Sequence, residues 1–109
     1  MKTKTILISA LLALWTLTSR ADFISGQMLQ DLFQSTDGDM ATGYVAGVLD
    51  MAHDTQRGKS YCPPAGGGVT LQQTAAVVKK YLADNPASWH KDGKVLVLEA
   101  IAKAFPCKK

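Results

Sequence analysis

The sequence predicts an all-α protein: a compact bundle of four to five short helices stapled by one disulfide. Three observations carry this. Nearly every apolar run fits a period of 3.6 residues and none alternates with a period of two. Helix caps and breakers recur at helix-length intervals. The chain has only two cysteines, Cys62 and Cys107.

The first segment is read as an address rather than as part of the fold. Lys2 and Lys4 precede an uncharged, mostly apolar run from Ile6 to Thr18, followed by Ser19-Arg20-Ala21. That is the three-part pattern of a secretory signal peptide, expected over residues 1–21 with cleavage near Ala21-Asp22. The run is too short to span a bilayer easily, so no membrane anchor is expected after cleavage. No cysteine precedes Cys62, which excludes the lipoprotein route. Residues 22–109 then form a single domain, small enough to need a staple. Export supplies an oxidising compartment in which Cys62 and Cys107 can pair. Such a bridge closes a loop of roughly 46 residues, worth about 4 kcal/mol in loop-closure entropy. Free thiols or an intermolecular bridge are the alternatives.

Four segments fit the helical period in order. Ser25 caps a helix over about residues 26–34, with Met28, Leu29, Leu32 and Phe33 on one face. The turn Thr36-Asp37-Gly38-Asp39 leads into a helix over about 40–55, with Tyr44, Val45, Val48, Leu49 and Ala52 as its apolar face. Gly43 and Gly47 lie four apart beside Tyr44. Two glycines inside a helix lower its propensity, so they point to close helix packing against another backbone. Pro63-Pro64-Ala65-Gly66-Gly67-Gly68 is a loop. Thr70 and Gln73 form a capping box, with Val69 at the staple position, for a helix to about Ala83. Its face is Ala75, Val78 and Leu82, flanked by Val77 and Tyr81; Lys79 and Lys80 face water. Asn85 caps a short turn begun by Pro86, which breaks at Asp92-Gly93. The last helix, about 94–104, is apolar on nearly two sides and is expected to be central. Phe105-Pro106 stops it and delivers Cys107.

Charge excludes one class of function. Twelve Lys plus Arg stand against nine Asp plus Glu. Lys2, Lys4 and Arg20 belong to the leader, leaving nine against nine. No basic run exceeds two residues and no aromatic residues interleave, so no nucleic-acid binding is expected.

No catalytic residues are expected, and no metal or cofactor. Asp50, His53 and Asp54 could be drawn as a metal group, but they lie on a solvated helical face. Cys62 has a disulfide partner rather than a thiolate-stabilising setting. No G-x-S-x-G elbow is present. The triple glycine lacks the strand and the lysine of a phosphate loop.

Recognition remains. One candidate contact region is His53–Tyr61, which includes Asp54, Gln56, Arg57 and Lys59. The other is Ser88–Asp92, with Trp89, His90 and Lys91. Each mixes charge with hydrogen-bonding groups on a scaffolded loop, and a tryptophan among polar residues suits an interface anchor.

Several motifs carry a resemblance over nearly the whole of residues 22–109. They are Gly43-Tyr44-Val45-Ala46-Gly47-Val48-Leu49-Asp50, Tyr61-Cys62-Pro63, Gly68-Val69-Thr70-Leu71-Gln72-Gln73, Asn85-Pro86, and Leu96-Val97-Leu98-Glu99-Ala100 ending in Ala104-Phe105-Pro106-Cys107. In this order they resemble the Rap/Tai immunity proteins of type VI secretion. The resemblance implies a periplasmic, all-helical protein, often a homodimer. It implies a partner, a peptidoglycan-cleaving amidase effector whose cleft is blocked by a protruding segment. Gly43, Gly47 and the Cys62–Cys107 bridge are then scaffold. Many relatives carry a further cysteine pair before the Gly-Tyr motif; here that stretch reads Ser35-Thr36-Asp37-Gly38-Asp39-Met40-Ala41. Two competing readings are a periplasmic acid-stress chaperone and an inhibitor of another cell-wall hydrolase. A chaperone binds many clients after acid loosens it, whereas an immunity protein binds one toxin near neutral pH.

Overall fold

The computed structural model describes residues 23–36, 38–64 and 68–108; the expected leader lies outside them. Among the described residues there are four α-helices and one short 3-10 turn. They are α1 (Gly26–Gln34), α2 (Gly38–Gln56), α3 (Leu71–Asp84), the 3-10 turn Pro86–Ser88, and α4 (Gly93–Ala104). No named strand occurs among them; Ser25–Asp92 and Arg57–Tyr61 form isolated bridges.

The helix starts follow local chemistry. The Ser25 hydroxyl accepts from the Met28 N–H at 3.2 Å. At α3 the capping box is complete: the Gln73 N–H donates to the Thr70 hydroxyl (3.2 Å) and the Thr70 N–H donates to the Gln73 side chain (2.8 Å). One expected cap differs. Asn85 makes no side-chain cap for the 3-10 turn; its Nδ2 instead donates back to the Tyr81 carbonyl at 2.8 Å, closing the end of α3. Asp92 precedes α4 without a side-chain capping bond.

The core is built around α4, which packs against α1, α2 and α3. Leu96, Val97, Ala100 and Ile101 are at most 2% exposed. Leu29 and Phe33 of α1, Val45 and Ala52 of α2, and Ala75, Val78 and Leu82 of α3 close around them. Two positions of α1 depart from the expected face. Met28 is half exposed, and the buried place goes to Gln30, whose Oε1 has no hydrogen-bond partner among the described residues.

The glycines change roles. A Cβ on Gly43 or Gly47 meets nothing within 4 Å, so no backbone neighbour of the kind expected lies beside them among the described residues. The close approach occurs at Gly26 instead. There a Cβ would fall on the Leu96 side chain and lie 2.9 Å from the Trp89 backbone. Bare backbone lets the Gly26 N–H reach the Lys91 carbonyl at 2.8 Å and the Gln27 N–H reach the Trp89 carbonyl at 2.9 Å. These bonds anchor the start of α1 to the loop before α4.

Cys62 and Cys107 are bonded to each other, 45 residues apart in sequence. The Cys62 N–H also donates to the Phe105 carbonyl at 2.8 Å. The segment after α2 is thereby fastened to the end of α4.

Two predictions follow from this packing. Replacing both cysteines with serine should cost about 4 kcal/mol and lower the thermal midpoint by more than about 10 °C; an unchanged melting curve would refute the stapling role. Gly43→Ala and Gly47→Ala should each stabilise by about 0.5–1 kcal/mol, because alanine fits a helix better and meets open space. Gly26→Ala should cost about 1–3 kcal/mol through overpacking. Urea titrations read all three.

Candidate functional site

The first candidate region begins on the last turn of α2. His53 and Asp54 are exposed there, and Arg57 follows the helix end. Arg57 donates to His53 Nε2 at 3.0 Å. A guanidinium has only donors, so the ring must accept. That leaves His53 Nδ1 to carry the proton facing Asp54 Oδ1 at 3.2 Å. Asp54, His53 and Arg57 thus form a short polar chain on the surface. Among the described residues, no three His, Cys, Asp or Glu side chains group as a metal site.

Past Arg57 the chain turns tightly. Gly58 has a φ of 81°, which favours glycine. The Gly58 N–H donates to the Tyr61 carbonyl at 2.8 Å and the Ser60 N–H to the Gln56 carbonyl at 2.7 Å. Gln56 also accepts from the Ser60 hydroxyl, so it holds the turn. Lys59 is exposed at the tip. Tyr61 departs from the expected contact role: it is 4% exposed and belongs to the core. Burial pushes its phenol up from the ordinary value, and the nearby Arg57 charge partly offsets this. A mixed cleft of about 220 Å³ lies beside the turn, with Asp50, His53, Arg57, Pro63 and Phe105 among its walls.

The second candidate region is mostly scaffold. Trp89 folds inward onto the core, and its indole N–H donates to the Leu82 carbonyl at 2.7 Å. His90 Nδ1 lies 3.0 Å from the Ala87 carbonyl. Lys91 donates to Glu99 at 3.3 Å, and Tyr81 donates to the other Glu99 oxygen at 3.0 Å. Asp92 bridges to Ser25. The tryptophan therefore serves packing, and only the half-turn around exposed His90 is open to a partner. The two regions do not meet. One adjoins the end of α4 and the other its start, roughly 18 Å apart along twelve residues at 1.5 Å each.

A third feature went unread in the sequence. A mostly apolar groove of about 520 Å³ runs along α2, walled by Tyr44, Gly47, Val48, Met51 and Ala52, with Lys94 and Leu98 of α4 opposite. Its signal is the four-residue spacing of Gly47 and Met51 along α2.

No helix among the described residues is long and apolar enough to cross a membrane. A sequence model of the Rap1a immunity proteins matches residues 19–107. The chain belongs to the Rap1a immunity protein family. No curated protein sequence matches it. As a Rap1a immunity protein it binds a secreted toxin, and such proteins are in general binders rather than enzymes. An arrangement of solvated charges on stapled turns suits this kind of work.

Tyrosine ionisation gives this region a pH signature. Burial, then the bond to Glu99, raises Tyr81 above its ordinary value, and burial raises Tyr61. In the unfolded chain both ionise near pH 10, so above that pH the unfolded state holds fewer protons than the folded one. Stability is then full below pH 10 and falls as the pH rises through the folded values. Tyr81→Phe should flatten part of the decline, measured by urea midpoints between pH 8 and 11. An identical slope in the variant would refute the assignment.

Proposed function

We propose that this Rap1a immunity protein acts in the periplasm against a peptidoglycan-cleaving amidase toxin of type VI secretion. It binds the toxin near neutral pH, blocks its active-site cleft, and functions as a homodimer. The carrying observation is the family match over residues 19–107. The motif order from Gly43-Tyr44 to Pro106-Cys107, similar to the Rap/Tai proteins, supports the amidase branch. The Arg57–Pro64 segment fits the blocking role. It is tied by Cys62 to Cys107 and by a backbone bond to Phe105, so little ordering entropy is left to lose on binding.

Protein purified from the periplasm, after expression of the full chain, should bind one amidase effector in a stoichiometric complex and abolish its hydrolysis of peptidoglycan. Arg57→Ala and Lys59→Ala should weaken that complex severalfold without changing the melting point. Recovery of the protein only from the cytoplasm would overturn the location. Binding to many unfolded clients at acid pH, with no effector inhibited, would replace this reading with a chaperone.

A further inference from the structure

The mixed cleft beside the Gly58 turn gathers polar groups that the fold leaves unused. It lies where the last two turns of α2, the segment around Tyr61 and the end of α4 meet, and it holds about 220 Å³. Asp50, His53, Arg57 and Tyr61 are its titratable lining. His53 is already committed, with Nε2 accepting from Arg57 and Nδ1 facing Asp54. Arg57 spends only Nη1 on that bond, and a guanidinium has further donors to offer. Asp50 has no hydrogen-bond or ion-pair partner among the described residues.

Tyr61 is the least expected member. The residue is 4% exposed, yet its hydroxyl bonds to no group among the described residues. Gln30 Oε1 is the one side-chain polar atom among them that is both sealed and unpartnered. The Tyr61 oxygen therefore keeps access to solvent, and the cleft that Tyr61 lines is the open space beside it. Its phenol lies near enough to feel the Arg57 charge. A buried hydroxyl left free beside a guanidinium is a pair of donors waiting for one acceptor group.

Charge and size decide the occupant. A lone carboxylate held by Arg57 and Tyr61 meets the free carboxylate of Asp50. A lone ammonium held by Asp50 meets Arg57. An occupant that carries both charges satisfies both side chains at once. Asp50 and Arg57 are about two helical turns apart, and the bond to His53 draws the guanidinium back toward Asp50. The space between them is small. Pockets for drug-sized ligands run to about 300–1,000 Å³, so a cleft of about 220 Å³ suits a single amino acid better than a peptide. Leu49, Pro63, Ile101 and Phe105 form an apolar wall for its side chain. We infer that this cleft binds a free aliphatic α-amino acid as its zwitterion, the ammonium on Asp50 and the carboxylate on Arg57 and the Tyr61 hydroxyl. The site is separate from toxin binding and needs no toxin to be tested.

The test uses three probes against the ¹⁵N-labelled protein purified from the periplasm after expression of the full chain. Leucine carries both charges, its methyl ester lacks the carboxylate, and N-acetyl-leucine lacks the ammonium. Leucine should shift the amides of Asp50, His53, Arg57 and Tyr61 saturably, and each blocked form should bind at least tenfold more weakly. Arg57→Gln should erase the difference between leucine and its ester while keeping the difference from N-acetyl-leucine. Asp50→Asn should do the reverse. Both residues are exposed, so both variants should melt as wild type. Tyr61→Phe should weaken leucine binding severalfold, read on protein whose amide spectrum shows it folded. Equal binding of leucine and N-acetyl-leucine would give the cleft to a lone carboxylate, such as an acidic side chain of a protein partner, and overturn the inference. Equal binding of leucine and its ester, saturable shifts on another surface, or no saturable shift at all would overturn it too.

Discussion

The burial of α4 is the constraint on which the other elements depend. Its apolar residues cover nearly two sides, so a single partner helix cannot hide them. Leu96, Val97, Ala100 and Ile101 lose almost all contact with water only because α1, α2 and α3 each supply a wall. At about 1.5–3 kcal/mol per large apolar side chain, that burial exceeds anything the surface ion pairs contribute. It also explains why Gly26 has no side chain: α1 must come close enough for its backbone to bond the loop before α4.

The disulfide acts at the other end of α4. Cys107 lies just past the helix, and Cys62 lies between the Gly58 turn and the proline-glycine loop. Besides the bridge, buried Tyr61 and one backbone bond from Cys62 to Phe105 tie the segment after α2 to the core among the described residues. A small exported domain commonly compensates for a limited core with such a link. The link also keeps the charged turn in one place beside the end of α4.

The parts that the core does not use gather on α2. The Asp54–His53–Arg57 chain and exposed Lys59 crown the end of α2, and the groove beside Gly47 and Met51 lies along the same helix. One long helix thus carries a polar tip and an apolar flank. The opposite region around Trp89 is occupied by backbone bonds that hold α1. Its tryptophan is spent on the Leu82 carbonyl, so the residue that most suggested an interface is a structural one.

Much of the fold was legible because its signals are local. Ser25, Thr70 with Gln73, Pro86 and the Phe105-Pro106-Cys107 stop act within a turn or two, and the 3.6-residue period marked the buried faces of α3 and α4. The roles of single residues were less legible. Tyr61 and Trp89 read alike as polar-tipped aromatics in loops, and only packing buried one and bonded the other. Gly43 and Gly47 suggested a neighbouring backbone, whereas the close contact fell at Gly26, because separation in space between distant segments leaves no mark on local spacing. The sequence alone therefore determined the helical class, the caps, the order of elements and the pairing available to two cysteines, all of which depend on residues near each other or on simple counting. The tertiary structure alone decided which glycine is crowded, which aromatic is buried and which face of α2 stays open, because those depend on how four helices share one core.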